Sequence, residues 1–169
     1  MKNHFELFGL TPAYALDLEQ LDSAYREIQA RIHPDKFAHA GDAERRASMQ
    51  MTTQVNEAYR TLKSPVRRAR YVLELNGVDV AFETDTAMPK DFLVQQMDLR
   101  EQLEDAKDCG ALDLLKKKLS SEKHGIEQLI AEQIDSKKNF AGAKALVRKL
   151  MFFDRLVEEV DAAYEALEG

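Results

Sequence analysis

The amino-acid sequence predicts an all-α protein, and three observations support that fold class. The 169 residues include four prolines and no tryptophan, whereas the helix-favouring residues Ala, Leu, Glu, Lys, Gln and Arg are abundant. Apolar residues recur every three or four positions through several long stretches, as they do on one face of an α-helix. The connections between these stretches are short. We therefore expect a small domain built on an antiparallel helical hairpin with short flanking helices, joined to an antiparallel three-helix bundle.

The net charge and the cysteine count exclude several classes of protein. A formal net charge of −6 opposes general binding to nucleic acid or to an anionic membrane, because both require an excess of Lys and Arg. Cys109 is the only cysteine, so no internal disulfide is expected and a reducing cytoplasm is the predicted compartment. No apolar run approaches the roughly 18 residues that span a bilayer. We expect neither a signal peptide nor a transmembrane helix.

Residues 17–32 form the first well-defined helix of the prediction. Asp17 and Gln20 have the spacing of a capping box at its start. Arg26 and Arg31 lie outside its apolar face, where their simplest interpretation is a solvated helix surface. That apolar face consists of Leu18, Leu21, Tyr25, Ile28 and Ile32.

The segment 33–37, with the sequence His-Pro-Asp-Lys-Phe, ends this helix. Pro34 has no N–H to donate, and it disfavours the α conformation at His33. The chain must therefore bend here. A purely structural turn would more naturally use Gly, Asn or Ser, whereas this bend carries an imidazole, a carboxylate and an ammonium group. We interpret it as a contact site.

A second amphipathic helix is predicted from about Asp42 to Leu62, and it pairs with the first as an antiparallel hairpin. The bend then lies at the tip of the hairpin. Ser64 and Pro65 have the pattern of an N-cap and first residue for a short helix that ends at Gly77. The apolar face of the second hairpin helix consists of Ala47, Met51, Val55, Ala58 and Leu62.

A predicted linker, residues 78–89, separates two domains at residues 1–77 and 90–169. The linker has no helical periodicity and ends in proline. Short connections within the second domain predict an antiparallel bundle. Its helical stretches are at about 90–107, 111–138 and 143–167. Their predicted core faces include Leu99, Leu112, Leu119, Leu129, Ile130, Leu150, Phe153 and Leu167.

Several apolar residues fall outside these core faces. Phe152 lies beside the core face of the last helix, and Val94 and Met97 point roughly 140 to 200° away from that of their own helix. Either these side chains are incidentally exposed or covered by a third helix, or they form an apolar docking face rimmed by carboxylates. Periodicity alone leaves both interpretations open. The carboxylates on the same surface are Asp98, Glu101 and Asp105.

The sequence predicts no enzyme, cofactor or metal site. Cys109 stands at a helix end with no base at a recognisable spacing, which indicates a buried or incidental thiol rather than a nucleophile. His33, Asp35 and His39 match no established spacing of metal ligands. The chain also has no glycine-rich loop that would cradle a phosphate.

The order of these motifs resembles a J-domain of the DnaJ type. The matching features are Tyr25 in the first hairpin helix, His-Pro-Asp at 33–35, and Asn-Glu-Ala-Tyr-x-x-Leu at 56–62 in the second. The resemblance continues through 92–104 and 147–154, in the order found in the HscB family, the J-type co-chaperones of iron–sulfur cluster assembly. The chain has neither the glycine/phenylalanine-rich linker and zinc domain of DnaJ nor the N-terminal cysteine pairs of animal HscB relatives. It resembles the bacterial members.

This resemblance implies a chaperone-binding site at the hairpin tip. In the family, the His-Pro-Asp loop and the positive side of the preceding helix engage the ATP-bound DnaK-type chaperone HscA and stimulate its ATP hydrolysis. Asp35 is then expected to present its carboxylate to an arginine of the chaperone. The matching residues of this chain are Arg26, Arg31, His33, Pro34, Asp35 and Lys36.

The resemblance also implies that the helical bundle binds the iron–sulfur scaffold IscU and delivers it to HscA. This favours the docking interpretation of the outer surface. The expected protein is a monomeric cytoplasmic co-chaperone that binds neither nucleic acid nor membrane. Two alternatives stay open: a J-protein for a different client, and a helical interaction protein whose bend is only structural. The scaffold-binding positions are Leu93, Val94, Met97, Asp98, Glu101, Asp105 and Phe152.

Overall fold

The computed structural model describes residues 2–80 and 88–169, and within them it contains helices and no strand. The predicted all-α fold class is confirmed. The chain divides into two compact units, residues 1–72 and 73–169, and most of the predicted linker lies outside the described residues. A 3₁₀ turn, Pro34–Phe37, and a π-helical turn, Glu132–Ser136, accompany the α-helices. These are α1 (His4–Leu7), α2 (Leu18–Ile32), α3 (Asp42–Lys63), α4 (Pro65–Leu75), α5 (Lys90–Asp105), α6 (Cys109–Ala131) and α7 (Phe140–Glu168).

The first hairpin helix, α2, begins and ends where its sequence predicts. Asp17 Oδ1 accepts hydrogen bonds from the backbone N–H groups of Glu19 (3.0 Å) and Gln20 (3.3 Å), which caps the helix. The helix stops at Ile32, and His33 takes a backbone conformation with φ −54° and ψ 133°. The following proline explains this conformation, because its ring disfavours the α region for the residue before it.

Five polar and aromatic side chains, which we call the hairpin cluster, tie α2 to α3. They are Asp22, Tyr25, Asn56, Tyr59 and Lys63. The ring of Tyr25 stacks on that of Tyr59, with centroids 3.9 Å apart, and its hydroxyl donates to Asn56 Oδ1 (2.7 Å). Asp22 accepts from the Tyr59 hydroxyl (2.7 Å) and from Lys63 Nζ (2.9 Å). Residues early in α2 thus pair with residues late in α3, as the antiparallel prediction requires.

The apolar core of the first unit differs from the predicted faces at three positions. Leu18, Ala47 and Met51 are exposed, so their assignment to the core was wrong. Leu18 occupies the first position of α2, and Met51 lines an open surface pocket beside α1 together with His4 and Leu7. The residues that do form this core include Phe5, Phe8, Leu21, Val55, Ala58, Leu62 and Ala69.

The short helix α4 is held to the rest of the unit by a buried arginine. Ser64 Oγ accepts from the N–H of Arg67 (3.2 Å), which confirms its predicted capping role. Arg68 is buried, and its guanidinium donates to the carbonyl oxygens of Tyr14 (2.6 Å) and Leu62 (2.7 Å). Burying this cation is tolerable because it binds carbonyl oxygens. Periodicity did not identify it.

In the second unit, α6 and α7 are antiparallel, and their side-chain pairs show the register. Lys116 Nζ contacts Asp161 (2.7 Å), and Lys123 Nζ contacts Asp154 (3.0 Å). The fully or nearly buried residues include Phe92, Leu99, Leu112, Leu119, Ile130, Val147, Leu150, Phe153, Leu156 and Val160. Two predicted core residues, Leu129 and Leu167, are exposed instead.

The ends of the bundle helices differ from the prediction by a few residues. The helix α6 begins at Cys109, two residues early, because Asp108 Oδ1 accepts from the N–H of Ala111 (2.8 Å) and caps it. The helix α7 begins at Phe140 because Asn139 Oδ1 accepts from the N–H of Gly142 (3.0 Å). Cys109 is exposed at the start of α6, which excludes the buried-thiol interpretation.

The hairpin cluster predicts an acid-sensitive contribution to stability. Hydrogen bonds from Lys63 and then from Tyr59 hold the pKa of Asp22 below its usual value of 3.8. The stabilisation is fully present above that usual value and is lost as the pH falls through the lowered folded-state pKa. We therefore expect Asp22→Asn to reduce the free energy of unfolding near neutral pH, and we expect the difference from the unmodified chain to shrink below about pH 4.

This expectation is measured by chemical denaturation of the full chain, followed by circular dichroism between pH 7 and pH 3. Glu122→Gln, which replaces an exposed carboxylate on α6, is the matched control. A stability difference for Asp22→Asn that stays constant over this range would contradict the assigned role of the carboxylate.

Candidate functional site

The 3₁₀ turn places the His-Pro-Asp loop at the tip of the hairpin. His33 Nδ1 accepts from the backbone N–H of Asp35 (3.2 Å) and so caps the turn. Pro34 occupies its first position, where the missing N–H costs nothing. The N–H of Lys36 donates to the His33 carbonyl (3.0 Å), which closes the turn. Four successive residues of the predicted site, 33–36, are thus arranged within one short-range turn.

The carboxylate of Asp35 projects into solvent. Its side chain is 92% exposed, and one of its oxygens lies 3.5 Å from His33 Nδ1. Because Nδ1 accepts the backbone N–H of Asp35 (3.2 Å), that atom does not donate to the carboxylate. The carboxylate therefore stays open to a partner's cation.

The base of the loop is anchored by α3. Ser48 is buried, and its hydroxyl donates to the carbonyl of Ile32 (2.8 Å), the last residue of α2. A small pocket of about 30 Å³ lies between the loop and the hairpin and is lined in part by Gln29, His33 and Asn56. Gln29 Nε2 also donates to the hydroxyl of Tyr25 (2.8 Å). The hairpin cluster therefore continues to the back of the loop.

Sequence reasoning missed Ser48 and Gln29. A signal for Ser48 was present, because it stands seven residues before Val55 on the buried face of α3, where a small hydroxyl residue needs a hydrogen-bond partner. The signal for Gln29 was its position four residues after Tyr25, because a helix brings residues at that spacing onto the same surface.

The predicted basic residues lie on the surface around this loop. Arg26, Arg31 and Lys36 are all exposed, as expected for residues outside the apolar face of α2. Arg26 is close enough to Asp22 to help lower the pKa of that carboxyl group. The structure therefore presents a carboxylate at the tip with positive charge on the adjoining helix.

A second candidate surface lies on α5. We call it the outer strip and define it as Leu93, Val94, Met97, Asp98, Glu101 and Asp105. All six are exposed, and the exposed fractions of Val94 and Met97 reach 66% and 73%. Their spacing of three, four or seven residues makes them neighbours along one side of the helix. The prediction that Val94 and Met97 lie outside the core is confirmed.

The predicted exposure of Phe152 was wrong. Its side chain is only 8% exposed, and its ring packs edge-on against Phe92 and Phe153 with centroid distances of 5.5 and 5.4 Å. The guanidinium of Arg100 lies 5.6 Å from the ring centroid and also contacts Glu159 of α7 (2.9 Å). Because α7 packs against α5 as well as α6, a residue beside the α6-facing stripe is still covered.

Within 2–80 and 88–169, no group of three or more His, Cys, Asp or Glu side chains is arranged to hold a metal ion. The helices of the same two ranges include none long and apolar enough to span a bilayer. The hairpin tip and the outer strip remain as the candidate surfaces.

Comparison with known proteins matches both units. The sequence model of the DnaJ domain matches residues 3–71, and the model described as the HSCB C-terminal oligomerisation domain matches residues 88–161. The co-chaperone protein HscB homologue of Burkholderia multivorans is 48% identical over 98% of this chain and 96% of its own length. This chain belongs to the HscB family of co-chaperones. The homologue of Paraburkholderia xenovorans is 47% identical over 99% of this chain and 97% of its own length.

Solved structures in the HscB family have the same fold. Chaperone HscB from Vibrio cholerae gives a TM-score of 0.87 at 35% identity, covering 98% of this chain and 99% of that one. The human co-chaperone protein HscB gives a TM-score of 0.92 at 25% identity, covering 96% and 82%. The resemblance inferred from the motifs is thus confirmed. Family membership gives the chain a co-chaperone role in iron–sulfur cluster assembly, with an Hsp70-type chaperone and an iron–sulfur scaffold as partners.

The anchor at Ser48 yields a prediction about the loop. Ser48→Ala leaves the Ile32 carbonyl without its hydroxyl donor, so the end of α2 and the loop after it are held less firmly. We expect binding to the Hsp70-type chaperone to weaken about three- to tenfold, corresponding to roughly one lost hydrogen bond. Isothermal titration calorimetry with the ATP-bound chaperone measures the change.

Thr53→Ala is the matched control, because it removes an exposed hydroxyl that donates to Met49 within the same helix (3.1 Å). Ser48→Thr keeps a hydroxyl at this position and tests whether that group is what maintains the affinity. Equal affinities for Ser48→Ala and Thr53→Ala would show that the bond to Ile32 does not position the loop.

Proposed function

We propose that this chain stimulates ATP hydrolysis by the DnaK-type chaperone HscA and delivers the scaffold IscU to it. The observation that supports this most strongly is the charged, solvent-facing carboxylate of Asp35, held in a defined turn by His33 and Pro34. An exposed surface of mixed apolar and acidic character on the second unit supplies a separate place for the scaffold. The chain acts by binding, and no bond is made or broken on it.

At the chaperone site, Asp35 forms a charge-assisted hydrogen bond with an arginine of HscA. Such bonds are roughly twice as strong as those between neutral groups. Arg26, Arg31 and Lys36 face an acidic surface of the chaperone, where exposed charges mainly raise the association rate and fix orientation. His33 and Pro34 contribute by holding the aspartate in place.

At the scaffold site, the outer strip provides an apolar centre with an acidic border. Leu93, Val94 and Met97 supply the apolar area, and the carboxylates of Asp98, Glu101 and Asp105 border it. Phe152 acts from beneath: its ring supports Phe92 and Arg100, so α5 keeps its outer side towards the scaffold. Carrying both sites on one chain raises the local concentration of IscU at the chaperone.

We place this activity in the cytoplasm and assign it to the monomer. The single cysteine is compatible with a reducing compartment. The family model that matches residues 88–161 carries the description of an oligomerisation domain, so the monomer needs a direct test. Sedimentation velocity at micromolar concentration, alone and with IscU, separates a monomer that forms a one-to-one complex from a self-associating species.

Asp35→Asn tests the chaperone site. This change keeps the size of the side chain but removes its charge, and the exposure of the residue means that the fold should be unaffected. We expect stimulation of the HscA ATPase to fall by at least tenfold, because the charge-assisted bond is lost. Steady-state phosphate release measures this stimulation. Glu44→Gln, which neutralises an exposed carboxylate at the start of α3, is the control. Full stimulation by Asp35→Asn with an intact circular dichroism spectrum would refute the co-chaperone mechanism.

Met97→Ala tests the scaffold site. Truncating this exposed side chain should weaken IscU binding about tenfold without changing ATPase stimulation in the absence of IscU. Leu129→Ala, another exposed apolar residue, is the control and should bind normally. Fluorescence anisotropy with labelled apo-IscU measures the affinities. Unchanged affinity for Met97→Ala would remove the outer strip from the scaffold site.

Phe152→Ala has a different expected outcome, because the residue is buried. Loss of its ring contacts with Phe92 and Phe153 should lower the free energy of unfolding by about 3 kcal/mol. Thermal unfolding distinguishes this effect from a lost binding contact: a Phe152→Ala chain as stable as the unmodified one would show that the ring does not support α5.

A further inference from the structure

A surface pocket lies where α5 ends and α6 begins. Its volume is about 360 Å³, which is large enough for an apolar side chain. The residues from α5 are near the C-terminal end of that helix, and those from α6 are in its first three turns. The pocket is lined by Gln102, Asp105, Ala106, Leu114, Leu115 and Lys118.

Leu114 forms an exposed apolar wall of this pocket. Its exposed fraction is 73%, equal to that of Met97 in the outer strip, whereas its neighbour Leu115 is buried in the bundle. The core therefore uses Leu115 and leaves Leu114 in solvent. A single exposed leucine is ordinary, but one that lines a pocket beside another exposed apolar surface marks an interaction site.

The pocket is continuous with the outer strip. Asp105 belongs to both, as the last carboxylate of the strip and as a lining residue. Gln102 also lines the pocket, and its side-chain amide donates to Asp98 of the strip (3.1 Å). The strip and the pocket thus form one uninterrupted surface on the second unit, running along α5 and across to α6.

The charges around this surface indicate the character of its occupant. Within the described residues, the side chains of Glu101 and Asp105 form no hydrogen bond or ion pair, and Arg100 of the same helix is held by Glu159 of α7 (2.9 Å). The α5 side therefore carries two unpaired carboxylates, and the cation nearest to Asp105 in sequence is Lys107. On the α6 side, Lys118 is exposed. A segment that fits carries an apolar side chain, with a basic group towards α5.

We propose that the Leu114 pocket is part of the scaffold-binding face, and that IscU inserts an apolar side chain there next to a basic residue that contacts Asp105. This inference rests on the proposed binding of IscU to the outer strip and extends that site from α5 onto α6. The pocket supplies the concave part of the surface, which a single helix face lacks. Apolar side chains seated in such pockets commonly dominate binding energy.

The experiment compares the affinity of apo-IscU for three single variants of the full chain. Leu114→Ala should weaken binding about five- to tenfold, because the loss corresponds to one truncated apolar contact in a protein interface. Leu129→Ala makes the same change at another exposed position of α6, about 22 Å further along the helix, and should bind as tightly as the unmodified chain. Met97→Ala reports separately on the outer strip.

Asp105→Asn, measured at two salt concentrations, tests the proposed contact between Asp105 and a basic residue of IscU. We expect this variant to bind about threefold more weakly at low ionic strength and to show a smaller dependence of affinity on salt than the unmodified chain. Leu114 and Asp105 are both exposed, so neither substitution should alter folding.

The outcomes separate this inference from the proposed function. If Met97→Ala weakens binding and Leu114→Ala does not, IscU binds the outer strip and the proposed pocket contact is wrong. If neither variant weakens binding, both the scaffold site and its extension are wrong. If Leu114→Ala changes self-association in sedimentation velocity but leaves IscU affinity intact, the pocket contacts a second copy of the chain, which also overturns the inference.

Discussion

The stacked pair of Tyr25 and Tyr59, with the hydrogen bonds around it, is the interaction on which the first functional surface depends. It fixes α2 against α3 through Asn56 and Asp22, and Gln29 extends the network to the back of the His-Pro-Asp loop. A loop of this kind contributes little apolar burial of its own, since none of the residues in its 3₁₀ turn is buried. Its conformation must therefore be imposed by the helices on either side.

In the second unit, contacts between α5 and α7 likewise fix the orientation of a helix. Phe92 and Arg100 turn one side of α5 towards Phe152 and Glu159 of α7. The opposite side of the helix is thereby left exposed to solvent. This division of α5 into a packed side and a solvent side explains why apolar residues such as Met97 remain exposed without weakening the bundle.

The sequence predicted most of the fold because local signals and helical periodicity agree along the chain. Asp17, Pro34 and Ser64 each act at the position where the pattern placed a helix boundary. The wrong burial assignments share one physical cause. Periodicity sorts the residues of a helix into faces, but it does not show how many neighbouring helices cover each face. Phe152 is covered by a second neighbour of α7, and Met51 borders an open pocket. The buried bonds of Ser48 and Arg68 join residues far apart in sequence. Periodicity can mark Ser48 as a buried hydroxyl, but it cannot identify the partner of either residue.

The central claim is that the loop and the outer strip act together because they belong to one chain. Stimulation of HscA in the presence of IscU tests it most directly, using a mixture of Asp35→Asn, whose strip is intact, with Met97→Ala, whose loop is intact. If the chain that engages HscA must also be the chain that carries IscU, neither variant in the mixture can do both. At concentrations near the dissociation constants, we therefore expect ATPase stimulation by the mixture to stay well below that by the unmodified protein. Stimulation by the mixture equal to that of the unmodified protein would contradict the account.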